Sequence, residues 1–364
     1  MKNLKKTSLA LILITTILAL SAVNAVQAVE VTATIILDNP GGCYGVAYDS
    51  GKEEIFITNG DFDLVSVISD SNNTVVAKVP VGHQPWGIAY DSERGELFVS
   101  NYGADSVSVI SDKTNTVVAT IPVGSQPSAV AYDAGKGEVY VANYNSSSVS
   151  VISVSTNTVV ATVTVGSQPC TLAYDSKKGE IFVGHAGCNQ VLAISDSTHA
   201  VVANLTVGNQ PSSLAYDSGK DEIFVADYNS SSVSIISGST NLIVATVNVG
   251  ANPTAMAYDS GNGQIFVANY NSSSVSVISD RTNTVIAEVK LESQPQGIGY
   301  DSGKGEIFVT YSESRNVSVI SAFSANNSVS SGPTTLEFTL AVVFIVAAAT
   351  CLIALTVRRP SSTS

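Results

Sequence analysis

The chain has 364 residues, 45% of them hydrophobic and only 13% charged, with 17 Lys and Arg against 30 Asp and Glu. That apolar content is too high and too regular for a disordered chain, and no interior stretch is long enough for a polytopic membrane protein. The excess of acid argues against nucleic acid as a partner.

Residues 1–28 read as a secretory signal. Lys2, Lys5 and Lys6 form the charged start, Leu9 to Leu20 is apolar apart from Thr15 and Thr16, and Val26-Gln27-Ala28 offers small residues for cleavage. Val23-Asn24-Ala25 is a second cleavage option, and an uncleaved anchor is the alternative to removal. The mature chain then opens on Val31-Thr32-Ala33-Thr34-Ile35, an alternating strand.

A repeat follows. Tyr48, Tyr90, Tyr132, Tyr174, Tyr216, Tyr258 and Tyr300 are spaced by 42 residues, and each is followed by Asp. A Pro precedes each unit, from Pro40 and Pro85 to Pro295; only the first interval is longer, as if Gly41-Gly42-Cys43 were inserted. The unit from Pro127 to Gly166 shows the pattern within one period. Strands are expected at Ser128 to Asp133, Glu138 to Asn143, Val149 to Ser153 and Thr158 to Val165, with Gly-, Asn- and Ser-rich turns between them. Apolar residues on both faces of each sheet require packing on both sides. Four-stranded sheets repeated radially are the blades of a β-propeller. The expected fold is therefore all-β, a seven-bladed propeller over residues 29–321. The last unit supplies three strands, and residues 31–35 match the missing fourth in phase, so the first strand is expected to close the ring and remove its open edge.

The runs Glu138 to Tyr144 (EVYVANY), Val149 to Ser153 (VSVIS) and Thr158 to Gly166 (TVVATVTVG) resemble the YVTN-type β-propeller repeat family of archaeal surface-layer and other extracytoplasmic proteins. The resemblance spans about residues 31–321. It implies the propeller fold and an extracytoplasmic setting, but no particular activity, because fold does not fix function.

Residues that break the repeat are the candidates for chemistry. The loops before the first strands and the turns between second and third strands share one face of the disc. They carry Cys43, His83, Trp86, Cys170, His185 and Cys188. Cys170 and Cys188 fall at the same end of neighbouring strands, and a disulfide between them is the expected reading in an oxidising compartment. A zinc or copper site from His185, Cys188, Cys170 and His83 is the alternative, although no CxxC-type spacing supports it. The ends of the second strands place Asn59, Asn101, Asn143, His185, Asp227, Asn269 and Tyr311 in a ring. That ring either binds a small ligand near the channel mouth or caps strand ends. The repeated Asp after Tyr is expected to accept backbone N–H groups of its turn; a Lys within that loop disfavours calcium. Seven sequons lie at Asn72, Asn145, Asn204, Asn229, Asn271, Asn316 and Asn326. His199 falls in a turn on the opposite face. No nucleophile elbow, phosphate loop, HExxH or paired-carboxylate signal is present, and no cofactor is implied.

Residues 322–337 form a linker, and 338–357 an uncharged run of 20 residues, long enough to cross a bilayer. Arg358 and Arg359 follow, placing the tail 358–364 on the cytoplasmic side. A sorting signal exchanged for a lipid would look similar. Cys351 lies within the run. The expected function is a membrane-anchored, non-enzymatic surface scaffold or binding module. Its partners would be envelope or surface-layer proteins or extracellular ligands. The alternative is an exported lyase- or lactonase-type enzyme, or a metal-binding protein, using the His185/Cys188 face.

Overall fold

The computed structural model describes residues 29–38 and 41–321. The expected signal segment, linker, membrane span and tail, together with Asn326, Pro40 and Cys351, lie outside the described residues. Among the described residues, no helix is long and apolar enough to cross a membrane.

The described residues form 28 strands in seven separate four-stranded antiparallel sheets. Each sheet is a blade. Its first strand lines the central axis, where it meets the first strands of both neighbours, and its fourth strand forms the outer edge. In the third blade the strands are Pro127–Asp133, Glu138–Asn143, Ser148–Ser153 and Thr158–Thr164. These agree with the expected bounds to within one residue.

The alternation explains why the blades stack. Phe56, Phe98, Phe182, Phe224, Phe266 and Phe308 occupy one repeat position on the second strand, and all are buried, with Tyr140 the seventh member. Their neighbours along the strand point to the other face and are buried too. Tyr140, Val149 and Val151 of the third blade thus pack with Ile181, Val183 and Ile194 of the fourth. Each blade interface is one such apolar cluster, and burial of side chains this size contributes about 1.5–3 kcal/mol each.

The ring closes as the sequence requires. Val31–Ile36 is the outermost strand of the seventh blade and pairs antiparallel with Asn316–Ser321, with Ala33 opposite Val319 and Ile35 opposite Val317. Thr32 adds a hydroxyl bond to the Val319 carbonyl at 3.2 Å. At the axis, Thr310 of the last blade donates to the Cys43 carbonyl of the first at 3.1 Å. The expected insertion of Gly41-Gly42-Cys43 is corrected. Cys43 itself takes the register position of the blade prolines, because it faces Asn59 as Pro85 faces Asn101, so from Cys43 onward the first unit keeps the spacing of the others.

The face opposite the Trp86 loop is built from the Tyr-Asp pairs. Asp49 Oδ1 accepts the N–H groups of Gly51 and Lys52 at 2.8 and 3.1 Å, and Asp301 does the same for Gly303 and Lys304. These are the turn caps expected for this residue. Each Tyr hydroxyl lies close enough to the Asp of the preceding blade for that carboxylate to raise its pKa, as Asp49 does for Tyr90 after burial. The turn itself needs a left-handed residue. Gly95, Gly137, Gly179, Gly263 and Gly305 supply it in five blades, while Glu53 (φ 58°) and Asp221 (φ 64°) occupy the same conformation in the other two.

Candidate functional site: the mouth of the central channel

The blades are held to one another at the axis by a small hydroxyl, and its position is not the same all the way round. In the third, fifth and sixth blades it comes from the first strand. Ser128 donates to the Ala142 carbonyl of its own blade and to the Pro169 carbonyl of the next. Ser212 and Thr254 repeat the arrangement with Pro253 and Pro295. In the first, second and seventh blades the hydroxyl sits on the second strand. Thr58 reaches the Trp86 carbonyl at 2.7 Å, Ser100 reaches the Ser128 carbonyl at 3.0 Å, and Thr310 reaches Cys43.

This relocation releases the first-strand position in three adjacent blades. Gln296, Tyr44 and Trp86 stand there, each followed by Gly. The glycines are needed because the backbones come close. A Cβ on Gly45 would lie 2.5 Å from the Trp86 carbonyl oxygen, and one on Gly87 at the same distance from that of Ser128; on Gly297 it would run into the Tyr44 carbonyl oxygen. Freed from holding the ring, the three large side chains line its mouth. Together with Ser128, Cys170, Ser212 and Thr254 they surround a cavity of about 400 Å³. Beneath it, a second void of about 200 Å³ is walled by one aliphatic per blade, from Val46 and Ile88 to Met256 and Ile298.

The rim is aromatic. Tyr44 stacks on Trp86 with centroids 4.5 Å apart, Trp86 meets Tyr102 at 4.8 Å, and Tyr102 meets Tyr144 at 6.3 Å. Tyr228 lines the mouth from the other side; Ala186 takes the same position in the fourth blade and breaks the arc. Trp86 keeps 37% of its surface exposed. Burial, then mutual charge coupling, raises the phenol pKa of Tyr102, and burial, then Asp61, raises that of Tyr44, so both remain hydroxyl groups at neutral pH. Among the described residues, no Asp, Glu, Lys, Arg or His lines the cavity. Two acids of the rim turns are engaged: Asp63 accepts the Gln84 N–H at 2.9 Å and faces His83 at 3.0 Å, and Asp105 accepts the Gln126 N–H at 2.8 Å.

The expected cysteine chemistry is corrected. Cys43, Cys170 and Cys188 are free thiols. Cys170 donates to the Gly184 and Pro211 carbonyls at 3.5 and 3.1 Å, the two bonds that Ser and Thr make in the neighbouring blades. It therefore stands in for the bridging hydroxyl. Cys188 points to Gln190 Oε1 instead, at 3.6 Å. Burial pushes the Cys170 thiol up to about 12 and that of Cys43 likewise, which leaves both as poor nucleophiles.

The metal alternative is corrected too. No three of His185, Cys188, Cys170 and His83 bring ligand atoms within 4.8 Å of one another. Among the described residues only Asp70, Asp301 and Glu306 do so, on the opposite face where the last blade meets the first. There Lys304 Nζ lies 2.7 Å from Asp70 Oδ1 and fills the cation's place. Lys304 also donates to the Asp70 backbone carbonyl, and Lys52 and Lys220 reach the carbonyls of Asp112 and Asp280 in the same way, so the cluster is a blade-to-blade tie.

The ring of second-strand ends is not at the mouth. All seven residues are buried within their blades, and five of them cap the third strand through side chains. Asn101 donates to Ser106 and Ser108, Asn143 to Ser148 and Ser150, and Asn269 to Ser274 and Ser276. Asp227 accepts from Ser232 and Ser234, and Tyr311 shares a 2.6 Å bond with Ser318. Asn59 reaches Cys43 Sγ at 3.7 Å. The exception is His185, whose blade has Gln190 and Leu192 in place of the serines. Neither of its ring nitrogens makes a well-formed hydrogen bond, and burial lowers its pKa against weaker opposing effects from the Gln190 and Val183 backbone, so it is neutral.

Of the sequons, Asn72, Asn145, Asn204, Asn229 and Asn271 are exposed and Asn316 is half-buried. His199 lies in its opposite-face turn and pairs with Glu138 at 3.1 Å, where Tyr140 also donates. A sibling blade uses Asn241 on Glu180 for the same contact. What the sequence reading missed was the mouth itself. Tyr44, Tyr102, Tyr144, Tyr228, Gln210 and Gln296 were absorbed into the repeat. The available signal was paired: a large residue before Gly on the first strand, with Thr or Ser on the second.

Among solved structures, Kuenenia stuttgartiensis hydrazine synthase is similar to this chain, with a TM-score of 0.71 at 18% identity over 79% of this chain and 97% of that one. At that identity the likeness concerns the fold alone. No curated protein sequence matches. The YNCE-like β-propeller family model matches residues 43–330, and the closed ring of seven repeats agrees with it: the chain belongs to the YNCE-like β-propeller family.

Proposed function

We propose that this protein is a membrane-anchored cell-surface binding module whose ligand enters the mouth of the propeller channel. One observation carries the reading. Three adjacent blades move their bridging hydroxyl to another strand, and this frees Gln296, Tyr44 and Trp86 for the cavity without loosening the ring. A cavity of about 400 Å³, with aromatic walls and a few convergent polar groups, is of the size and character of a small-ligand site. The lining offers no carboxylate, imidazole or amine, and its one thiol is held near 12, which favours binding over catalysis. Anchoring is inferred from the uncharged run 338–357 and the arginines after it, and export from residues 1–28. The exposed sequons and the resemblance to surface-layer repeats support a place in an envelope layer.

Protease shaving of intact cells tests the placement. Removal of the propeller, with a short tail fragment left in the membrane fraction, is the expected result. Full protection of the propeller until the cells are lysed contradicts it.

A further inference from the structure

We propose that the mouth takes the tip of a neutral oligosaccharide, a claim that rests on reading the mouth as the binding site. The chemistry of a neutral sugar matches that of the mouth. A pyranose ring presents apolar C–H faces and a rim of hydroxyl groups, and carries no charge. The mouth presents the exposed indole of Trp86 between Tyr44 and Tyr102, which offers apolar ring surface with polar tips. Its remaining polar groups are hydroxyls and amides, which both donate and accept. Among the described residues the Gln296 amide has no hydrogen-bond partner, and the Gln210 amide spends only its oxygen, on Asn229.

Charge argues against the other ligands that aromatic sites accept. A cation seated here would lose its hydration with no carboxylate in the lining to replace it. Of the acids around the rim, Asp63 and Asp105 already hold the left-handed Gln84 and Gln126 turns, and Asp61, which acts on Tyr44 at a distance, is not part of the lining. An anion would find no basic residue. A lipid tail would strand the polar half of the lining unsatisfied. Shape sets the direction of entry. All seven blades contribute to the wall, so a polymer reaches the cavity end-on and not along an open groove.

The chain contains a single Trp, and it is the one at the mouth, so its emission reports on this cavity alone. The experiment uses the full-length chain in a detergent without a sugar headgroup. It is titrated with mannohexaose, maltohexaose, cellohexaose and chitohexaose, and in parallel with tetramethylammonium and a proline-rich peptide. The expected result is a saturable change in Trp86 emission with at least one oligosaccharide. Calorimetry on the same sugar should show a tenfold or greater loss of affinity in Tyr102→Ala and a smaller loss in Trp86→Phe, with both variants melting as the parent does. A saturable response to the cation or the peptide, with none to any sugar, overturns the saccharide assignment and leaves the mouth as a binding site. Sugar binding that persists undiminished by calorimetry in Trp86→Ala and Tyr102→Ala puts the sugar elsewhere and overturns both readings. Silence of Trp86 toward every probe overturns the saccharide assignment.

Discussion

Tyr48 in the first blade meets Asp301 in the last, the seventh contact in a ring that also joins Tyr90 to Asp49 and Tyr300 to Asp259. The closing junction is therefore built from the same parts as the six within the chain, and it seals the face opposite the mouth. Burial, followed by Asp301, raises the Tyr48 phenol pKa, so the hydroxyl keeps its proton for that contact at every physiological pH.

Tyr48→Phe removes the hydroxyl and keeps the ring. The expected cost is about 1 kcal/mol in urea unfolding, and Tyr174→Phe, at an internal junction with Asp133, should cost the same. A silent Tyr48→Phe beside a costly Tyr174→Phe would mean that the first and last blades are not joined in this way.

Asp227 is the one acid at a position that four sibling blades fill with a buried Asn. Burial raises its pKa to about 6, against the opposing hydrogen bonds from Ser234 and Ser232. The folded state thus holds a proton that the unfolded chain, titrating near its ordinary value of 3.8, has already lost. Its contribution to stability is present below pH 3.8 and is lost as pH rises through about 6. Asp227→Asn should raise stability at pH 7.5 by roughly 1–3 kcal/mol and change little at pH 4. Equal effects at both pH values, read from urea midpoints, would contradict this.

Glu53 holds a left-handed conformation that five other blades give to Gly, and its side chain is exposed. Glu53→Gly should stabilise the protein by about 0.5–1 kcal/mol, the strain relieved less the extra freedom gained by the unfolded chain. A drop in melting temperature would show that the Glu53 side chain makes a contact worth more than the strain.

Cys170 occupies the place of a bridging hydroxyl. Cys170→Ser should leave the melting temperature within a few degrees, whereas Cys170→Val, which abolishes both bonds, should cost about 1–3 kcal/mol. A non-reducing peptide map should find no link between Cys170 and Cys188; recovery of that link would restore the disulfide reading.

The fold was legible because the repeat is a physical statement. A period of 42 residues with strand alternation inside it allows only a few closed arrays, and the phase of residues 31–35 identified the strand that completes the last blade. The site was not legible for a related reason. Cys170 and His185 looked unusual in their own blade, and both turned out to be substitutes, a half-buried thiol for a hydroxyl and a buried imidazole for an amide. The mouth depends instead on a relation between strands and blades. Trp86 is free because Ser100, fourteen residues later, has taken over the bond to the next blade. Residue rarity draws attention to one position at a time, and such an exchange becomes visible only when both positions are compared around the ring.

The most direct test copies the third blade's arrangement into the second. In the double variant Trp86→Ser with Ser100→Ala, the bridging hydroxyl returns to the first strand, as in Ser128 with Ala142, and the indole is gone. Melting temperature and calorimetric affinity for the ligand of the parent are measured together. The account predicts a ring that melts within a few degrees of the parent and has lost its ligand. A ring that melts far below the parent, or one that still binds with undiminished affinity, would contradict the claim that Trp86 stands at the mouth to bind and not to hold the blades together.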